Sequence, residues 1–204
     1  MADLNQIRKA IIDALPADTG SAPRPEHLYV APTHLKALRL ECQLVVGTRG
    51  VGKSVWTTAL HDNQLRQLLG PSIPELNGAE IHIGFSERPE ITHYPDAETF
   101  AGLINSGNAP YTVWRAVVIR WIAALIGKTI PEVSWKETVT WVKDNSEKVA
   151  KLMASANEWA SMQGKHGLIL FDALYRLSND WHTMDQIVRD LLRLALWIDR
   201  KSVV

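Results

Sequence analysis

The sequence predicts an α/β fold: a parallel sheet held between two layers of helices, with a helical insertion dividing the sheet into two halves. Three observations predict it. A glycine-rich loop, GTRGVGKS at 47–54, follows the strand-like run LECQLVV and precedes VWTTALHD, which reads as helix. AEIHIGF at 79–85 alternates small or apolar with polar residues, as a half-buried strand does. HGLILFDALYRLS, beginning at His166, supplies an apolar run ending in Asp172, the pattern of a strand buried in a parallel sheet.

Residues 4–15 have the apolar spacing of a short amphipathic helix, and ADTGSAPRPE at 17–26 has the composition of a linker. Residues 1–24 are therefore set apart from a domain spanning 25–204. Within the domain a short helix at about 32–38, opened by Pro32, feeds a strand at 41–46. The helix after the loop is expected to run from 53 to 69, stopped by Gly70 and Pro71. With 79–85 this completes a strand–helix–strand unit. The block from about 97 to 163 reads as helical. In it Val113, Val117, Trp121 and Leu125 form a stripe widened by Trp114 and Val118, with Arg115 and Arg120 outside it. The stripe reads as core. A last helix at 185–200 puts Ile187, Leu191, Leu194 and Ile198 on one face.

The composition narrows the function. At 204 residues with 46% hydrophobic content the chain can bury a sizeable core. Its 22 basic and 22 acidic residues cancel, so no global field draws it to nucleic acid or an anionic membrane, although Arg115, Arg120 and Lys128 offer a local basic patch. The single cysteine, Cys42, excludes a disulfide framework. No apolar run is long enough to cross a bilayer and the N-terminal segment lacks a signal-peptide core, so a cytoplasmic location is expected.

The loop carries the chemistry. In G-x-x-x-x-G-K-[ST] the glycines let backbone N–H groups close round a phosphate, the lysine reaches the outer phosphates and the hydroxyl binds Mg²⁺. Gly47, Gly50, Gly52, Lys53 and Ser54 fill every required place, and Thr48, Arg49, Val51 and Val55 complete the candidate nucleotide contacts. The helix start behind the loop is itself an anion site. Hydrolysis further needs an acid at the end of a neighbouring strand to hold the Mg²⁺ shell, and Asp172 after GLILF fits. The guanine signatures N-K-x-D and D-x-x-G are both missing from the chain, which favours ATP.

Together GTRGVGKS and LILFDALYRLS resemble P-loop ATPases of the AAA-type and STAND groups, the KAP and NACHT branches in particular. The expected fold is then that of a P-loop NTPase, with the insertion between the Walker A and Walker B halves. The resemblance implies ATP and Mg²⁺ as cofactors, Lys53 and Asp172 as catalytic residues, and Ser54 with Asp172 as the metal's ligands. Asp172, Leu174, Arg176 and Leu177 match the family's strand motif, and Tyr175 departs from it where an acid is usual. Glu87, just past the second strand, is the substitute candidate for ordering water. Tyr29 and Pro32 fall where the family lays a segment against the adenine, a role that competes with simply capping the sheet. The resemblance also implies that further sheet follows KSVV, so that other chains or self-association cover an open edge. A small-molecule kinase with Arg189, Arg193 and Arg200 as its lid, and a binder that holds ATP without hydrolysing it, remain alternatives.

Overall fold

The computed structural model describes residues 23, 25, 28–39, 41–48, 51–88 and 90–199. The expected helix at 4–15, most of the linker at 17–26, Arg49, Gly50 and Arg200 lie outside them. The chain divides between Asn77 and Gly78 into two compact units. Among the described residues it is mixed α/β, mostly helical, with two strands in one parallel sheet.

The first unit holds helices α1 (Pro32–Ala37), α2 (Lys53–His61) and α3 (Asn63–Leu69). Pro32 opens α1 because its missing N–H would have no helical partner there. The His34 ring meets Trp56 of α2 edge-on at 5.2 Å. The single helix expected over 53–69 is broken at Asp62. That residue is extended, its side chain accepts a 3.0 Å bond from Leu65 N–H, and Arg66 Nη1 donates to the Leu60 and His61 carbonyls across the break. An aspartate caps a helix start better than it propagates one. Leu65, Leu69, Ile73 and Leu76 are buried.

The strand expected at 41–46 is not present: residues 42–48 have no regular structure, and Val46 is 84% exposed. A strand exists only against a partner's backbone, and the two described strands pair with each other in the second unit. The anticipated strand–helix–strand unit around the loop is therefore not formed.

In the second unit β1 (Ala79–Phe85) runs parallel to β2 (His166–Phe171), in register from Ala79 opposite His166 to Ile83 opposite Leu170, with Phe85 opposite Phe171 at the end. The crossover contains α4 (Ala97–Asn105), α5 (Pro110–Leu125), α6 (Trp135–Asp144) and α7 (Ser146–Gln163), and α8 (Trp181–Asp199) follows β2. The block expected to be helical, about 97–163, is helical and lies in the crossover between β1 and β2. β2 is half-buried or exposed, not enclosed as its apolar run suggested, because the two-stranded sheet gives it one neighbouring strand. Among the described residues no helix is long and apolar enough to cross a membrane.

Helix α5 is the axis of this unit, in contact with α4, α6, α7, α8 and β1. Burial consequently extends well beyond the expected stripe, to Ala116, Ile119, Ile122 and Ala123. Arg120, expected outside that stripe, is only 8% exposed, and Arg115 lies over the Trp197 ring at 5.2 Å. The basic patch anticipated from Arg115, Arg120 and Lys128 is not formed, since a helix packed all round has no solvated face for Arg120.

The register slips between Ile83 and Phe85, which leaves Gly84 as the extra residue. A Cβ on Gly84 would stand 2.6 Å from Phe171 Cε1 and 2.8 Å from Ile169 Cδ1, so only glycine fits beneath those side chains. Gly84→Ala should lower the unfolding free energy by about 1–3 kcal/mol, read as a lower urea midpoint. Gly102→Ala in α4, where an added methyl meets nothing within 4 Å, should leave that midpoint unchanged or raise it.

Candidate functional site

The glycine loop belongs to the first unit. Gly52, at φ 85°, caps α2 in the left-handed region where glycine is at ease. A Cβ on Gly47 would meet Val51 Cγ2 at 2.9 Å, so Gly47 and the Val51 side chain approach closely. Lys53, the first residue of α2, turns its ammonium back into that loop: Nζ donates to Gly47 O at 2.6 Å and Thr48 O at 2.8 Å.

This helix start is electrostatically unbalanced. The first helical bond of α2 runs from Trp56 N–H to Gly52 O at 3.2 Å, so the N–H groups of Lys53, Ser54 and Val55 have no helical acceptor. The cap has no side-chain hydrogen bond and the first turn has no acidic residue. A lysine occupies the pole where the dipole favours an anion, an arrangement unfavourable by roughly 0.3–1 kcal/mol at an exposed site. Loop N–H groups, the ammonium and the exposed Ser54 hydroxyl together suit a phosphate and, through Ser54, its Mg²⁺. Tyr29 and Pro32 are exposed just ahead of the α1 turn that His34 ties to Trp56.

Asp172 and Glu87 belong to the second unit, where the parallel strands bring them together. Asp172 N–H donates to Phe85 O at 2.8 Å, extending the ladder one residue beyond β2. Its carboxylate accepts from Ala173 N–H at 2.8 Å. Ala173 takes φ 53°, the one positive φ of a non-glycine among the described residues, and starts a tight turn, Leu174–Arg176. That turn returns Arg176 over the end of β1, where Nη2 forms an ion pair with Glu87 Oε1. Hydrogen bonding to Tyr175 and the Glu87 charge hold the Arg176 guanidinium above its usual range. Tyr175 itself is 60% exposed. Beside the pair, Ser86 Oγ and Tyr94 OH lie 2.8 Å apart, and burial raises the Tyr94 phenol above its ordinary value.

The carboxylate group is small. Among the described residues no three His, Cys, Asp or Glu side chains are placed to hold a metal ion. Mg²⁺ ordinarily takes only one or two carboxylates and fills its octahedron with phosphate oxygens and water, so Asp172 fits as one such ligand. The sequence missed the Arg176–Glu87 pair because 89 residues separate its partners, and only the strand register brings them to the same end. No family model, curated protein or solved structure matches the chain.

Proposed function

We propose that this chain is an ATP-binding module of the P-loop type, similar to AAA-type and STAND ATPases, whose nucleotide state controls its association with other chains or with itself. The observation that carries the reading is the start of α2: a glycine-capped, acid-free helix pole with Lys53 folded onto the Gly47 and Thr48 carbonyls. Lys53 is held by neutral acceptors that a phosphate outcompetes, since the phosphate adds the attraction of opposite charges to the hydrogen bond. Residues 47–55 hold the phosphates with Ser54 toward Mg²⁺, Tyr29 with Pro32 hold the base, and Asp172 is the carboxylate that the second unit offers to such an ion. Bound Mg²⁺ would neutralise charge developing on the phosphates. In this reading the exposed run Leu44–Val45–Val46 belongs to a larger three-layer sheet, for which its apolar residues are suited.

Slow turnover or none is the second reading, and a specific observation favours it. Tyr175 stands where an acid is expected, and Glu87 is engaged by Arg176 and so unable to act as a free base. The kinase alternative gains no such support. Arg189 is paired with Asp185 at 2.8 Å and Arg193 lies over the Tyr111 ring, so both are occupied on α8. Phosphate release without an added acceptor distinguishes the ATPase from the kinase.

Three variants test the assignment. Lys53→Ala should raise the ATP dissociation constant about 10- to 100-fold, the equivalent of one or two charge-assisted hydrogen bonds, with an unchanged circular dichroism spectrum. Unaltered affinity in the folded variant would remove the nucleotide reading. Asp172→Asn should abolish the gain in affinity that Mg²⁺ gives and leave binding in EDTA intact, because the carboxylate acts through the ion. Equal losses with and without Mg²⁺ would make Asp172 structural. Arg176→Ala should speed phosphate release at unchanged ATP affinity by freeing Glu87, and Glu87→Gln in that background should reverse the gain. A rate indifferent to both substitutions places the water-ordering group elsewhere.

A further inference from the structure

The second unit contains a buried charge that the nucleotide reading does not use. Arg120, in the middle of α5, is 8% exposed, yet it forms no ion pair with any described carboxylate. Its Nη2 donates to Thr138 Oγ1 at 2.6 Å, to Glu132 O at 3.1 Å and to Ser134 O at 3.4 Å. The guanidinium carbon lies 3.8 Å above the centre of the Trp135 ring. These contacts clamp the turn between α5 and α6, which accounts for one nitrogen and one face of the group. They leave Nε buried without an acceptor and the positive charge without a counter-ion. Burial lowers the guanidinium below its usual range, with the more distant Glu132 opposing the shift. Isolating a charge from water is unfavourable by several kcal/mol unless an opposite charge meets it.

Arg120 lines a cavity of about 420 Å³, a size that accommodates a small organic molecule. A second source of positive potential opens onto it independently. Ser134 caps α6 by accepting the Glu137 N–H at 3.2 Å, which leaves the Trp135 and Lys136 N–H groups without a helical acceptor in a turn that also carries the Glu137 carboxylate. The apolar part of the lining is the Trp135 ring, Ile91, and Val133, which is 91% exposed at the rim, with Thr92 and Glu132 completing it. Trp135 is fixed there by its indole N–H, which donates to Ile91 O at 2.8 Å. One cation, one helix pole and apolar walls call for one negative charge on an apolar body. Glu132, on the same rim, repels a dianion more than a monoanion. The planar guanidinium matches the carboxylate fork.

We infer that the cavity beside Arg120 binds a small monocarboxylate with an aromatic or branched apolar body, its carboxylate meeting the guanidinium and its body resting against Trp135, Ile91 and Val133. The site is independent of the nucleotide reading and stands if that reading fails.

Calorimetric titration of the full chain with benzoate, and with benzamide as the neutral analogue of the same shape, tests this. Benzoate should bind saturably and at least tenfold more tightly than benzamide, since only the charged form compensates Arg120. Equal affinities, or no binding of benzoate, would overturn the inference. Benzoate has an alternative destination in the glycine loop, so the rim supplies the second measurement. Val133→Asp changes a side chain that is almost wholly in water, keeps the fold, and adds a negative charge beside the cavity. It should weaken benzoate binding about tenfold, whereas Lys53→Ala should leave it unchanged. Binding that ignores Val133→Asp or vanishes with Lys53→Ala would assign benzoate to the loop and refute the site.

Discussion

Trp114 must bury a large aromatic ring and still find an acceptor for its indole N–H, and the second unit is organised around that double demand. The indole donates to Ile187 O in α8 at 3.0 Å. The ring packs on Phe100 of α4 and meets Phe85 and Phe171, the last residues of the two strands. One side chain therefore ties α4, α5, α8 and both strand ends together. Aromatic side chains of this kind bury roughly 150–250 Å² each and favour tilted or edge contacts such as these. The reciprocal tie is Asp190 of α8, whose carboxylate accepts the Tyr111 N–H at 3.0 Å and so caps the start of α5, where Ala109 has no capping side chain.

The chemistry at the strand ends follows from that packing. Phe85 and Phe171 are held against Trp114, so the next residues, Ser86, Glu87 and Asp172, are delivered to one edge of the sheet. Gly84 contributes by giving Phe171 the room to cross. Ala173 then turns the chain in a left-handed conformation that is unfavourable by about 1–2 kcal/mol for an L-residue, stabilised here by the bond its N–H donates to the Asp172 carboxylate. The turn brings Arg176 to Glu87. Asp172 is thus positioned by backbone on one side and by its own neighbour on the other, while Glu87 is governed by a side chain that can let go.

Where the pattern was local, it was legible. β1 is bounded as expected because the alternation of AEIHIGF begins at Ala79, just after Gly78, and ends with Phe85 entering the core. The helical block was readable from its periodicity, and its crossover position from the two strands that flank it. Asp62 starts a new helix inside an otherwise helical run, a capping preference that periodicity alone does not register. The run at 41–46 has strand composition, but strand formation depends on a partner's backbone, which composition does not encode. Arg120 deceived for the same reason: a charge in an amphipathic helix implies a solvated face only when one face is free, and α5 is enclosed by the helices packed against it. The glycine loop stands out residue by residue, because the phosphate chemistry proposed for it would depend on consecutive positions.

That contrast bears on how the loop works. In the proposed nucleotide reading the loop's ligands are backbone N–H groups and one lysine, all drawn from eight consecutive residues and the helix that follows. Lys53 resting on two carbonyls is the form such a loop takes when its ammonium has only neutral acceptors within reach. Two of the three ammonium donors are satisfied in that state, so an arriving phosphate gains only the difference between a charged and a neutral acceptor at Lys53. The larger gain comes from Lys53, Ser54 and Val55 N–H, which have no acceptor within the helix, and from the helix pole that Lys53 makes more positive. Affinity in such a loop is accordingly set less by the strength of the lysine contact than by how completely the backbone donors converge on the anion, which is why glycines occupy positions where a side chain would hold the chain apart.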